Sequence, residues 1–368
     1  MKLKNAQVFC GADGFIEKDV CFGKYIEEFK PGEDETVDCN GMYLLPGFID
    51  IHTHGAFGVE ADKADAAGIK KLAGFYASHG TTSFAPTCMT LPEDDMIRFA
   101  KLIADYEGSE GEASIQGINL EGPFLSEKKR GAHNPEYLRE PDIDMLKRIH
   151  AASDNNIKII TIAPELNGAM EFISEAKEIC RVSIGHTACD YETAEAAFDK
   201  GASQLTHIFN AMEPFLHRDP GPIAAAYDKD AYVELICDGI HVHPEAVKMV
   251  FELFEDHVIL ISDSLSCAGL GDGVYSSGDM DVYVRDGKAT IKDGNLAGSL
   301  ITISDAVRNA VKFGVDFKDA VYATTVNPAK ALGIYGRKGV IRPGADADLI
   351  LMNQNYDICK VFIGGKEV

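Results

Sequence analysis

Six side chains that could hold a metal or move a proton each close a short apolar run of the sequence. They are His52, His54, Glu121, His186, His207 and Asp263. Histidine and carboxylate are ligand types that suit divalent transition metals. A metal held by such groups lowers the pKa of bound water, and a nearby acid can then take a proton from that water. The six positions therefore predict a metal site at which water is activated.

The strength of this prediction lies in the whole set, because each residue alone has an ordinary structural explanation. His52 and His54 are two residues apart, so they face the same side of a strand, but two half-buried imidazoles could do the same. Glu121 follows the apolar run IQGINL, where a carboxylate is costly to bury unless it is paired or bound to a cation. A salt bridge would be the alternative for Glu121, and a loop cap would be the alternative for Asp263. Together the residues predict one or two divalent ions, which Glu121 could bridge.

The elements that must position these side chains alternate between strand and helix. Eight apolar runs read as buried strands, at 48–54, 81–87, 114–124, 157–165, 181–187, 204–210, 233–239 and 258–264. Stretches with apolar residues at three- and four-residue spacing predict helices at 62–79, 92–106, 141–152, 168–179, 191–200, 244–254, 303–313 and 317–324. This alternation predicts the α/β class, with a (β/α)8 TIM-like barrel whose chemistry lies at the strand ends.

The two ends of the sequence have a different pattern, with short alternating strands between Gly and Asp turns. We expect residues 1–47 and 339–368 to pair into one small β-sandwich domain, and residues 48–338 to form the catalytic barrel. A further strand pair is expected in 280–298, after the eighth barrel strand.

Composition excludes several classes of partner. The formal net charge is −23, and such an acidic surface repels nucleic acid and anionic membranes. We find no apolar run of about 18 residues, so no transmembrane helix is expected, and the first residues are too polar for a signal peptide. The nine cysteines are dispersed without a CxxC motif, which favours reduced thiols and a cytoplasmic location.

Several motifs together resemble one family, the N-acetylglucosamine-6-phosphate deacetylases of the amidohydrolase superfamily. They are PGFIDIHTHG, LEGPF followed by GAHNP, SIGHT, THIFNAM, HRDPG, DGIHV, SDS with CAGLGDG, LAGS, NPAKALG and PGADADLILMN. HTHG and GADADL are general amidohydrolase marks, whereas the combination of LEGPF, HIFNAM and HRDPG is more specific. The resemblance covers nearly the whole chain.

The resemblance implies a role for each matching residue. Glu121, His186 and His207 correspond to the main metal ligands, and His52 and His54 to a second metal position that some members lack. Asp263 corresponds to the catalytic acid and base. The substrate contacts are His133 near the amide carbonyl, with Asn210, Ala211, His241 and Arg218 at the sugar phosphate. In the family this arginine reaches the neighbouring subunit's site, which implies a homodimer.

By this resemblance the expected activity is removal of acetate from N-acetyl-D-glucosamine 6-phosphate, an amino-sugar phosphate, with Zn, Fe, Mn or Co as cofactor. Three alternatives stay open. N-acetylgalactosamine 6-phosphate differs only in the configuration of one hydroxyl. Another amidohydrolase, such as a cyclic amide hydrolase or a base deaminase, would not need the arginine of HRDPG. A non-catalytic sugar-phosphate-binding protein would be expected to lose ligands or the acid, yet all six are present.

Overall fold

A computed structural model describes residues 1–28, 35–278 and 280–368. Residues 29–34, inside the predicted 1–47 segment, and residue 279, inside the predicted 48–338 segment, lie outside this description. Within it, eight parallel strands form a nearly closed barrel. In chain order these barrel strands are Phe48–Thr53, Thr81–Cys88, Ile118–Glu121, Ile157–Ile162, Arg181–Ile184, Gln204–Leu205, Tyr232–Ile236 and Val258–Ile261.

The barrel closes where the segment after its last strand meets its first strand. The backbone N–H of Asp263 donates to the carbonyl of His52 at 2.9 Å, and the N–H of His54 donates to Ser264 at 2.9 Å. The predicted TIM-like barrel is confirmed. One predicted strand differs in detail, because the run 114–124 is divided into Ser114–Ile115 and Ile118–Glu121 around Gly117, whose φ is +142°.

Helices pack around the barrel and account for the near-continuous apolar character of its strands, which are buried on both faces. Many begin at an acidic cap, for example Asp65, Asp142 and Asp190, whose side chains accept backbone N–H groups of the first turn. The helices of the described chain are Ala66–Ser78, Glu93–Ala104, Ile143–Ala152, Ala169–Ala176, Tyr191–Lys200, Gly221–Asp228, Pro244–Phe254, Ile303–Phe313 and Phe317–Ala331. In the parts of the chain that are described, none of the helices has the length and apolar character needed to cross a bilayer.

Two helices depart from the sequence prediction. Gly221–Asp228 was not predicted, because its Gly-Pro start and short alanine run give no clear periodicity. The last helix runs to Ala331 and not to Thr324, although it contains Pro328. Its extension is buried, and the Asn327 side chain donates to the carbonyl of Val258 at 2.7 Å. Tertiary packing therefore outweighs the tendency of proline to end a helix.

Both ends of the sequence contribute to a second sheet beside the barrel. Its strands are Lys2–Phe9, Phe15–Phe22, Ile26–Glu27, Thr36–Asp38, Tyr43–Pro46, Leu349–Met352, Ile358–Ile363 and Lys366–Glu367. The two parts join where Tyr43–Pro46 pairs antiparallel with Leu349–Met352. This sheet has its own apolar core, which includes Leu3, Leu44 and Phe362. The domain boundaries at 47 and 339 stay a prediction.

A three-stranded antiparallel sheet lies over the barrel mouth after the last barrel strand. We call it the flap; its strands are Gly273–Ser277, Met280–Arg285 and Lys288–Ile291. The buried side chains of Val282 and Val284 pack with Leu265 and Ala297, and the exposed residues alternate with them. The predicted strand pair in 280–298 thus has a third strand before it, and Met280 and Val282 help to line the cavity beneath.

Candidate active site

Three ligand-type atoms meet at the centre of the barrel mouth. Glu121 ends the third barrel strand, and His186 and His207 each lie two residues beyond the fifth and sixth strands. The Oε1 atom of Glu121 is 3.0 Å from Nε2 of His186 and 2.9 Å from Nε2 of His207, and the two Nε2 atoms are 3.1 Å apart. All three residues are buried.

The backbone around these histidines determines which atoms face each other. His186 Nδ1 lies 2.9 Å from the Lys129 carbonyl, and His207 Nδ1 lies 3.2 Å from the Asn210 carbonyl. A carbonyl only accepts, so each Nδ1 carries the hydrogen and each neutral ring turns an Nε2 lone pair towards the Glu121 carboxylate. Three acceptors at contact distance need a cation or a proton between them. These three atoms are suitable ligands for a divalent metal ion.

His52, His54 and Asp263 adjoin Glu121, His186 and His207. We call these six residues the cluster. His54 Nε2 is 3.2 Å from both Glu121 Oε2 and Asp263 Oδ1. His52 Nε2 is 3.5 Å from Glu121 Oε1 and 3.7 Å from Asp263 Oδ1. Within the described part of the chain, the buried His52 Nε2 and His54 Nδ1 have no hydrogen-bond partner. Glu121 lies between the two groups of histidines, so it can serve both.

The charges of the cluster also favour a cation. Burial would lower the pKa of His54, but hydrogen bonds and charges from Asp263 and Glu121 raise it to about 9. Burial would raise the pKa of Glu121, but the surrounding imidazoles, first that of His52, hold it well below its usual range. By contrast, burial is the main cause that lowers the pKa of His186 to about 4. The carboxylates of Glu121 and Asp263 are therefore stabilised by nearby positive charge, which the ring of His186 does not provide.

Three of the chemistry-bearing residues have an unusual backbone. His186, His207 and Asp263 have φ values of +47°, +27° and +47°. Non-glycine residues rarely adopt this left-handed region, and such outliers cluster at functional sites. Each lies two residues after a barrel strand, where the turn of the chain aims its side chain into the mouth.

The cavity above the cluster has a volume of about 340 Å³, which is within the range of small-molecule sites. It is lined by the predicted substrate contacts His133, Asn210, Ala211 and His241 and by every member of the cluster except His52. His133 Nδ1 accepts the Thr90 backbone N–H at 3.3 Å, so its Nε2 carries the hydrogen, 3.3 Å from Glu121 Oε2. His241 Nδ1 lies 2.6 Å from Asp238 Oδ2, which fixes the orientation of its ring.

Arg218 is the one predicted site residue that belongs neither to the cluster nor to the cavity wall. It is exposed, it lines a separate surface depression with Asp190 and Pro220, and its guanidinium donates to His217 Nε2 at 2.7 Å. Two exposed apolar side chains, Phe215 and Leu216, precede it in the same loop.

Glu234, on the seventh barrel strand, is a buried member of the site that the sequence analysis missed. It is fully buried, and its Oε2 is 2.8 Å from His52 Nδ1. The signal was available, because a lone carboxylate in the apolar run VELIC needs a partner as much as Glu121 does.

The profile of the amidohydrolase family matches residues 43–368. An N-acetylglucosamine-6-phosphate deacetylase of Bacillus subtilis (strain 168) is 38% identical over 323 residues, which cover 86% of this chain and 82% of the relative. An N-acetylgalactosamine-6-phosphate deacetylase of Escherichia coli O157:H7 is 35% identical over 328 residues, which cover 88% of this chain and 87% of the relative.

Solved structures of such deacetylases have the same fold as this chain. A mutant N-acetyl-D-glucosamine-6-phosphate deacetylase from Mycobacterium smegmatis, in complex with N-acetyl-D-glucosamine-6-phosphate, superimposes with a TM-score of 0.93 at 30% identity, covering 100% of this chain and 98% of that chain. The deacetylase from Thermotoga maritima superimposes with a TM-score of 0.90 at 30% identity, covering 100% and 99%. The chain therefore belongs to the amidohydrolase family, among the amino-sugar-phosphate deacetylases.

Proposed function

We propose that this protein is a metal-dependent amide hydrolase that converts N-acetyl-D-glucosamine 6-phosphate into D-glucosamine 6-phosphate and acetate. The observation that carries the chemistry is the meeting of the His186 and His207 nitrogens with Glu121 at 2.9 to 3.1 Å, beside Asp263. The names of the relatives support the substrate class. The aligned regions cover 82% or more of each of these relatives.

Glu121, His186 and His207 would hold one ion, and His52 and His54 with Glu121 would hold a second. Zn, Fe, Mn or Co suits such ligands. When bound, a divalent ion acts as a Lewis acid on water and on the amide carbonyl. The remaining steps belong to the side chains of the protein itself.

Asp263 is the acid and base of the proposed reaction. Its carboxylate takes a proton from the attacking water as a C–O bond forms, and returns a proton to the amine nitrogen as the C–N bond breaks. The Nε2–H of His133, fixed by Thr90, can donate to the amide oxygen as negative charge develops there. Buried surroundings strengthen both contacts.

The phosphate would be held at the outer end of the cavity by Asn210, Ala211 and His241, together with Arg218 of the partner subunit in a homodimer. A guanidinium forms paired hydrogen bonds with phosphate. This role agrees with the exposure of Arg218 and with its distance from its own cavity. Anchoring the phosphate orients the acetamide over the catalytic groups.

The test is acetate release by the purified, metal-loaded protein. N-acetylglucosamine 6-phosphate should be hydrolysed, the unphosphorylated sugar should be a much poorer substrate, and the metal-stripped protein should be inactive until metal is restored. Absence of acetate from the phosphorylated sugar, with metal bound, would refute the proposal.

N-acetylgalactosamine 6-phosphate is a second candidate, because the Escherichia coli relative at 35% identity carries that name. The two substrates differ in the configuration of one hydroxyl. Comparison of kcat/KM for the two epimers under identical metal loading decides between them.

Two finer features belong to the same proposal. A homodimer predicts complementation: mixed dimers of Arg218→Ala and Asp263→Asn chains regain one intact site, whereas each variant alone has none. A monomer in sedimentation experiments, or mixtures without regained activity, would contradict the shared site.

A cytoplasmic location is supported by nine cysteines that are all free, and fractionation of cells that produce the protein tests it.

A further inference from the structure

Glu234 contacts the cluster at His52 and at the backbone of His207 but does not line the cavity, so it has no place in the reaction described above. Its carboxylate is fully buried in the seventh barrel strand, on the same side of the strand as Ile236, which lines the cavity. Leaving a carboxylate there without partners would cost several kcal/mol. Its contacts should therefore show what it stabilises.

Every polar neighbour of Glu234 is a donor. Oε2 accepts from His52 Nδ1 at 2.8 Å and from the backbone N–H of His207 at 3.3 Å. Oε1 accepts from Nε2 of the buried Gln204 at 2.6 Å. The Glu234 carboxylate therefore contacts the ring of His52 and the backbone of His207, two histidines of the cluster.

The contact with His52 determines the form of that ring. Because Nδ1 carries the hydrogen that is donated to Glu234, the lone pair of the neutral ring lies on Nε2. This Nε2 is buried and has no hydrogen-bond partner among the described residues. It faces two carboxylate oxygens, on Glu121 and Asp263, at 3.5 and 3.7 Å.

We propose that Glu234 is a positioning residue that prepares the His52 side of the cluster for a second cation. It fixes the Nδ1–H tautomer of His52, holds the ring by one strong contact, and adds a buried negative charge behind it. Carboxylates that accept from the far nitrogen of a ligating histidine increase its basicity and fix its direction. The inference rests on the proposed function for the identity of the site and goes beyond it in assigning Glu234 and the occupancy of the His52 position.

The experiment measures metal binding directly, with zinc as the probe. Wild-type protein is stripped with chelator, reloaded, and analysed for zinc per chain and for affinity by chelator competition. Glu234→Gln should weaken the second, weaker-bound zinc about 10- to 100-fold and leave the first nearly unchanged. Glu234→Asp keeps the charge but withdraws it by one methylene, and should weaken the second zinc less.

The control variant is Leu235→Ala, which removes buried atoms from the same strand on the face opposite to Glu234. It should lower the melting temperature without changing the zinc affinities. In a double-mutant cycle, Glu234→Gln should add nothing to His52→Gln, because Glu234 acts through His52.

Two results would overturn the inference: wild-type affinity for both zinc ions in folded Glu234→Gln and Glu234→Asp, or equal losses at both sites in the Glu234→Gln and Leu235→Ala variants. Failure of the wild-type protein to release acetate would instead count against the proposed function, because the zinc measurements do not depend on turnover.

Discussion

Replacement of Asp263 by asparagine removes its acid–base chemistry and its charge while keeping the shape of the side chain. The two side chains have nearly the same shape, and asparagine also tolerates the left-handed backbone, here with φ of +47°. The variant should therefore fold and keep the cavity. The amide has no group that accepts a proton from water, and it cannot carry the negative charge that faces His54 Nε2 at 3.2 Å.

The expected loss follows from the contribution of a positioned general base, which is about 10² to 10⁴ in rate. This corresponds to about 3 to 5 kcal/mol in the activation free energy, at about 1.4 kcal/mol for each factor of ten. We expect the loss in kcat, with a smaller change in KM, because the proposed phosphate contacts are other residues. The assay is steady-state acetate release with metal content measured on the same sample.

Asp348→Asn is the matched control, because Asp348 and Asp263 are both 7% exposed. Asp348 is paired with Lys338 in a buried contact, and loss of its charge should cost about 3 to 5 kcal/mol of stability with kcat per folded molecule unchanged. A kcat for Asp263→Asn within tenfold of wild type, with full metal content, would refute the acid–base role.

Three further predictions concern the phosphate contact, the metal and the backbone. Arg218→Ala should raise KM for N-acetylglucosamine 6-phosphate by about 10-fold or more, since charge-assisted contacts are worth about 1.5 to 3 kcal/mol; an equal loss with the unphosphorylated sugar would contradict a phosphate contact. Removal of metal should lower the melting temperature as well as activity, because ligands that bind only the folded state stabilise it; calorimetry before and after reloading should show recovery, and an unchanged melting temperature would argue against a metal at Glu121, His186 and His207. Gly339→Ala places a Cβ 2.6 Å from the Thr325 carbonyl at φ of +75° and should cost about 1 to 3 kcal/mol. Gly344→Ala, at φ of +88° with open space around it, should cost less in urea unfolding, and equal costs would show that the clash is unimportant.

The sequence predicted the barrel and the meeting of Glu121, His186 and His207 because both depend on local patterns. Apolar runs define the strands, and the residue that closes each run faces the mouth once the strands are parallel. Glu121, His186 and His207 follow this rule. The inferred barrel, without the family, was enough for these three to be expected near one another.

Other features depend on information that a local pattern does not contain. The contact of Glu234 with His52 requires the pairing order around the barrel, which brings residues 182 positions apart into contact. The Gly221–Asp228 helix is stabilised by packing and lacks a strong periodic signal. The proposed site of Arg218 depends on a second chain, so no pattern within one chain can place it.

The pairing of Tyr43–Pro46 with Leu349–Met352 has a consequence for synthesis on the ribosome. Roughly three hundred residues must be synthesised after Tyr43–Pro46 before its antiparallel neighbour exists. Pairings between such distant parts of a chain form slowly. During that interval the apolar side of the first strands has no complete core to cover it, which favours association with other chains. Growth conditions that slow translation therefore lengthen the period in which this apolar face is uncovered.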